Sequence, residues 1–186
     1  TMSRYIKKVS KKLGLAPGTL VHIGKQAASA SIKITLFDYD QQHCEERPIT
    51  DLEHLKPYKN KPTVTWINVD GLHDVETIAK IGTIFGVDPL ALEDIVNTNQ
   101  RPKMEDFGDY IFVVFKMIYP CSDKTEVISE QVSFIIGINY VISFQEEAQR
   151  DVFETVRQHI REGKGRIRKL KGDYLVYSLM DPVVDH

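Results

Sequence analysis

The chain has 186 residues, 42% of them apolar and 27% charged, with a formal net charge of -2. That length suits one compact domain, the apolar share excludes a chain disordered by composition, and the near-neutral charge singles out neither nucleic acid nor a membrane surface as a partner. Two cysteines, Cys44 and Cys121, with no CxxC, argue against a disulfide framework and a structural zinc site, and no apolar run approaches the roughly 18 residues of a membrane helix, so a soluble cytosolic piece without a signal peptide is expected.

Residues 1–16 carry Arg4, Lys7, Lys8, Lys11 and Lys12 and read as a flexible basic arm ahead of a domain spanning 17–186. TLVHIG (19–24) predicts a short strand. SIKITLFDY (31–39) alternates Ile32, Ile34 and Leu36 with Lys33 and Thr35, the period of a half-buried strand. ITDLEHLK (49–56) predicts a short helix with a Thr50–Glu53 capping box, ended by Pro57. PTVTWINVDG (62–71) is a strand rich in β-branched residues, with Trp66 in the core. Asp74 caps VETIAKIGTIF, whose apolar stripe is Val75, Ile78, Ile81, Ile84 and Phe85, and Gly86 is its left-handed stop. Asp88-Pro89 opens the helix PLALEDIV. DYIFVVFKMIY (109–119), SEQVSFIIG (129–137) and INYVISFQ (138–145) are strands in succession, so at least one antiparallel pair is required. Helices follow over 148–163 and from Gly172 to the end. The fold expected is an α/β/α sandwich, a mixed parallel and antiparallel sheet with helices on both faces.

Motifs for nucleophilic catalysis or a phosphate cradle are absent: no GxSxG, GxGxxG or GxxxxGK[ST] occurs, and GKGR at 163–166 lacks the spacing. The six histidines form no HxxxH or HxH pair. The acids say more. Glu93 and Asp94 are consecutive on a helix, about 100° apart around its axis, so both cannot face one buried core. Ser178, Asp181 and Asp185 share a face of the last helix. Oxygen-only ligands suit a hard ion such as Mg²⁺, although acid pairs on helix surfaces are commonly just solvated. Arg101 and Lys103 are placed to pair with Glu105 or Asp106 and pin the loop between helix and strand. The basic run Arg157–Lys171 reads as a solvated helix face, with nucleic-acid binding as the competing reading.

LAPGTLVHIGK, TWINVDGLHD, FGVDPLALEDIVNTNQRPKMEDFGDYIFVVFKM, SEQVSFIIGINYVISFQE and GDYLVYSLMDPVVDH together resemble the N-terminal cytoplasmic domain of CorA-type magnesium and cobalt transporters, from about Leu15 to the last residue. The resemblance implies an α/β/α unit forming one wall of a pentameric funnel of identical subunits below the membrane. It also implies that the pattern continues past VDH into a long helix reaching the membrane, with pore helices and a Gly-Met-Asn signature beyond. By motif match, Glu93, Asp94 and Asp181 fall on acids of regulatory metal sites between neighbouring subunits, a further acid belonging to the long helix. Mg²⁺ there, with Co²⁺ also possible, is implied to favour the closed channel. The expectation is therefore a metal-sensing regulatory domain that is no enzyme and binds no nucleic acid. It sits on the cytoplasmic face of the membrane in the full-length protein. The alternatives are a zinc-transporting relative, a nucleic-acid module using 157–171, and an enzyme whose residues meet only in space. Pro182 puts the aim of Asp181 in question, because proline removes a backbone donor inside the predicted helix.

Overall fold

The computed structural model describes residues 20–21, 31–120, 127–146 and 151–185. The basic arm and most of TLVHIG lie outside them, and Leu20 and Val21 form no strand. Among the described residues seven strands form one mixed sheet: β1 (Lys33–Tyr39), β2 (Cys44–Pro48), β3 (Val64–Asp70), β4 (Lys103–Asp106), β5 (Ile111–Pro120), β6 (Val127–Ile136) and β7 (Tyr140–Gln145). Their order is β2-β1-β3-β7-β6-β5-β4, with β3 and β7 parallel and every other pair antiparallel. The helices are α1 (Val75–Phe85), α2 (Pro89–Val96), α3 (Glu154–Glu162) and α4 (Gly172–Val184), with a 3-10 helix at Leu52–Asn60.

Strand alternation sorts the side chains into two cores. Ile67, Val69, Ile142, Phe144, Phe112 and Val114 face the 3-10 helix, α1 and α2. Trp66, Val141, Phe134, Val113 and Met117 face α3 and α4, which supply Val156, Ile160, Leu175, Leu179 and Val183. The sandwich with helices on both faces is therefore present, and β3 and β7, buried along their whole length, are its centre.

α1 is bounded by the Asp74 side chain, which accepts from Thr77 N, and by Gly86 at φ 71°. The α1–α2 contact is close at Gly82, where a Cβ would lie 2.4 Å from Leu92 Cδ1, so a larger residue there would force the Leu92 side chain out of its place. Two expectations change. The 49–56 helix is capped by Asp51, whose side chain accepts from Glu53 N, rather than by Thr50. It is also a 3-10 helix along its whole length and runs on past Pro57 to Asn60 instead of ending there. The edge strands β2 and β4 add to the expected set. Both are polar and half-exposed, so neither carries a period-2 apolar pattern.

Trp66 Nε1 donates to Ser143 Oγ (2.9 Å), which donates to Asn68 Oδ1 (2.7 Å), and Asn68 Nδ2 donates to Asp70 Oδ1 (3.1 Å). All four residues are buried. Ser143→Ala orphans one buried donor and one buried acceptor, and should cost about 1–3 kcal/mol, read as a lower urea midpoint at unchanged slope. A midpoint equal to wild type would show that this chain of bonds stabilises nothing.

Candidate metal centre

α2 begins with the Asp88 side chain accepting from Leu90 N (2.8 Å), while the Asp88 N–H donates to Tyr110 Oη (2.9 Å). Ala91, Leu92, Ile95 and Val96 are the buried face, which turns Glu93 and Asp94 to the half-exposed side, so both acids lie at the rim. The end of the helix is held from below. Gln131 Nε2 on β6 donates to the Asp94 carbonyl (2.9 Å), Asn97 N donates to the Glu93 carbonyl (3.0 Å), and Lys116 Nζ donates to the Thr98 carbonyl. The Asn97 bond closes the last turn of the helix itself, while the side chains of Gln131 and Lys116 hold the Asp94 carbonyl in that turn and the Thr98 carbonyl just past it, which fixes the direction in which the chain leaves α2.

Asp94 has a cation beside it. Lys103 Nζ lies 2.6 Å from Asp94 Oδ2 and 2.8 Å from Glu105 Oε1, so the expected Lys103–Glu105 pair is present, with Asp94 added to it and a strand, β4, in place of a loop. Burial pulls the Lys103 ammonium down, but its bonds to the Asp94 and Glu105 carboxylates outweigh that and hold it above the usual lysine value.

Asp181 is exposed on α4, opposite the buried Leu175, Leu179 and Val183. Its neighbours on the outer face are Tyr177 and Val184, 61% and 66% exposed. The helix runs through Pro182 to Val184, and Asp185 N still donates to the Asp181 carbonyl (3.2 Å), so proline does not end the element that carries Asp181. α2 and α4 pack on opposite faces of the sheet. Glu93 and Asp94 are thus brought together, and Asp181 is kept apart from them within one chain. Among the described residues no three His, Cys, Asp or Glu side chains are placed to hold a metal ion.

The basic run is not a uniformly solvated face. Arg157 is 7% exposed, bonds to Asp151 and Glu154, and lies 5.4 Å from the centre of the Trp66 ring. Arg161 bonds both oxygens of Glu46 (2.7 and 2.8 Å) and also Glu154 (2.8 Å). These residues border a polar cavity of about 170 Å³ that also reaches Asp70. Burial raises the Asp70 carboxyl and the nearby Asp151 charge raises it further, while the bond it accepts from Asn68 Nδ2 offsets part of that rise.

Sequence reasoning missed Lys103 as a partner of Asp94 and Gln131 as the support of α2. Neither contact lies at helical spacing, and the first depends on the unrecognised β4. Gln131→Leu should cost about 1–3 kcal/mol and speed amide exchange at the end of α2, measured by urea unfolding and hydrogen exchange. Unchanged exchange at Val96 to Thr98 would mean that α2 holds its own end.

The sequence model of the CorA-like Mg²⁺ transporter protein family matches residues 61–186, a span that includes Glu93, Asp94 and Asp181. The cobalt/magnesium transport protein CorA of Thermotoga maritima is 44% identical over 179 residues, 96% of this chain and 50% of that protein. The soluble domain of CorA from Methanocaldococcus jannaschii shares the fold with a TM-score of 0.55 at 14% identity, over 81% of this chain and 55% of that one. The cytoplasmic domain of ZntB from Vibrio parahaemolyticus does so at 0.59 and 14% identity, over 83% and 58%. The chain spans about half the length of the Thermotoga maritima relative. Two such structural likenesses speak for the fold, and the sequence match decides the rest: this chain belongs to the CorA-like Mg²⁺ transporter family.

Proposed function

We propose that this chain is the cytoplasmic metal-sensing domain of a Mg²⁺/Co²⁺ transporter, in which Mg²⁺ bound between identical subunits favours the closed state. The observation that carries the reading is the separation of the acids: Glu93 and Asp94 on α2 and Asp181 on α4 occupy opposite faces of one subunit. A Mg²⁺ ion binds oxygens at about 2.1 Å, so it joins these acids only between two copies. A subunit presenting two different surfaces makes head-to-tail contacts, and these close into a ring when the rotation allows, a pentamer in the arrangement the family resemblance implies.

The donor set fits the ion. It is carboxylate oxygen only, partly open to water, and Mg²⁺ keeps much of its water and takes one or two carboxylates. No cysteine or histidine stands in this set, which favours Mg²⁺ or Co²⁺ over zinc, and the likeness to ZntB is one of fold. When bound, the ion supplies positive charge between the opposed carboxylates. The protein's part is to hold α2 and α4 so that the acids face each other across the seam. As cytosolic Mg²⁺ falls, repulsion between the carboxylates loosens the ring, a bias between two states set by differential affinity.

No helix of the described residues is long and apolar enough to cross a membrane, and the chain spans about half of the Thermotoga maritima relative; the proposal assigns passage of the ion to other parts of the full-length protein. The domain then lies on the cytoplasmic side of that membrane. The nucleic-acid reading is disfavoured because Arg157 and Arg161 spend their charge on Asp151, Glu154 and Glu46.

Thermal unfolding of the assembled protein against Mg²⁺, with Ca²⁺ and Zn²⁺ alongside, tests the proposal. At 100 times the dissociation constant Mg²⁺ should stabilise the folded state by about 2.7 kcal/mol, and Glu93→Ala/Asp94→Ala should abolish the rise. A Mg²⁺ response that survives in the double variant would refute the assignment of these acids.

A further inference from the structure

Lys103 and Glu105 pair across the β4–β5 ladder with Val114 and Phe112, which places both on the sheet face that carries α2. The Lys103 ammonium thereby reaches Asp94 Oδ2 at 2.6 Å and Glu105 Oε1 at 2.8 Å, and lies 5.6 Å from the centre of the Phe112 ring. The Lys103 side chain is 28% exposed and that of Asp94 is 21% exposed, so the pair is less screened than one on the open surface.

A divalent ion that takes Asp94 as a ligand meets this ammonium. Two cations on one small carboxylate repel each other, and the tethered one has somewhere to go. Glu105 and the face of Phe112 remain as partners when Asp94 is given up, so release does not leave a buried, uncompensated charge. We propose that Lys103 is a resident counter-ion of Asp94 that divalent metal must displace, and that it thereby raises the metal concentration at which the site fills. The inference rests on the metal-sensor reading given above.

The consequence is a threshold set by competition inside one chain. A site whose binding-competent form is only a fraction of the population binds with its affinity reduced by that fraction. When metal leaves, Lys103 returns and removes one negative charge from the seam. The emptied interface is then less repulsive than bare acids would make it, and the two states stay close enough in energy to respond to a modest change in ion concentration.

The test is the Mg²⁺ midpoint of the rise in unfolding temperature, measured on the assembled full-length protein for wild type, Lys103→Met, Lys103→Gln and Lys103→Arg. Mg²⁺-dependent resistance to limited proteolysis provides a second readout that does not involve transport. Lys103→Met and Lys103→Gln should lower the midpoint roughly three- to tenfold, and Lys103→Arg should stay within about twofold of wild type. The glutamine variant keeps a polar side chain at the position and reads the effect if the methionine variant fails to fold. An unchanged or higher midpoint in the neutral variants, beside a wild-type response lost in Asp94→Ala, would overturn the counter-ion role and leave the sensor reading standing. Silence of the wild type towards Mg²⁺ would sink both.

Discussion

Strands β3 and β7 run side by side and parallel, with Trp66 opposite Val141 and Asp70 opposite Gln145, and every residue of both is buried. A parallel pair cannot be joined by a tight turn, so the chain must leave the sheet and return. Here it leaves β3 into α1 and α2 on one face, and leaves β7 into α3 and α4 on the other. Covering both faces is what lets the central strands bury all their side chains. The same requirement carries α2 and α4 to opposite sides, and with them Glu93 and Asp94 on one hand and Asp181 on the other.

The face under α3 shows how the interior tolerates polar groups. Trp66, Ser143, Asn68 and Asp70 form one chain of hydrogen bonds on neighbouring strands, so each buried polar atom in it has a partner. Arg157 lies over Trp66 and pairs with Asp151, which allows a guanidinium to sit at 7% exposure without stranding its charge. Arg157 and Arg161 of the basic stretch are thus scaffold, while Lys164, Arg166, Lys169 and Lys171 are exposed, as a solvated face requires. Arg161 bonds Glu46 of β2 through both oxygens, which ties an otherwise polar edge strand to the helix layer.

The helices and inner strands were legible because their signals are local. Asp74 and Gly86 bracket α1, Asp88 and Pro89 open α2, and the apolar runs of β5, β6 and β7 announce themselves. β2 and β4 were not legible: CEERP and KMED lie at the sheet edges, where charge guards against mispairing and no apolar alternation is needed. The acids of the candidate site were legible as residue types, and their placement at the rim followed from helical geometry. What surrounds them was not. The Lys103–Asp94 contact needs β4 to exist, and the Gln131 support needs β6 to pass beneath the end of α2.

The two acidic surfaces share a plan that bears on how an ion governs assembly. Leu90, 67% exposed, stands one turn before Glu93 and Asp94, and Tyr177 and Val184 bracket Asp181. Each surface is a carboxylate beside exposed apolar groups. In the proposed ring, burying those apolar groups favours contact whether or not the ion is present, while drying the seam strengthens every charge interaction inside it. The apolar term is constant and the electrostatic term changes sign with the ion: attractive through Mg²⁺, repulsive without it. A subunit contact built from a fixed attraction and a switchable one does not fall apart when the ion leaves. It weakens, and that is what a regulatory domain needs if the ring is to change shape without dissociating.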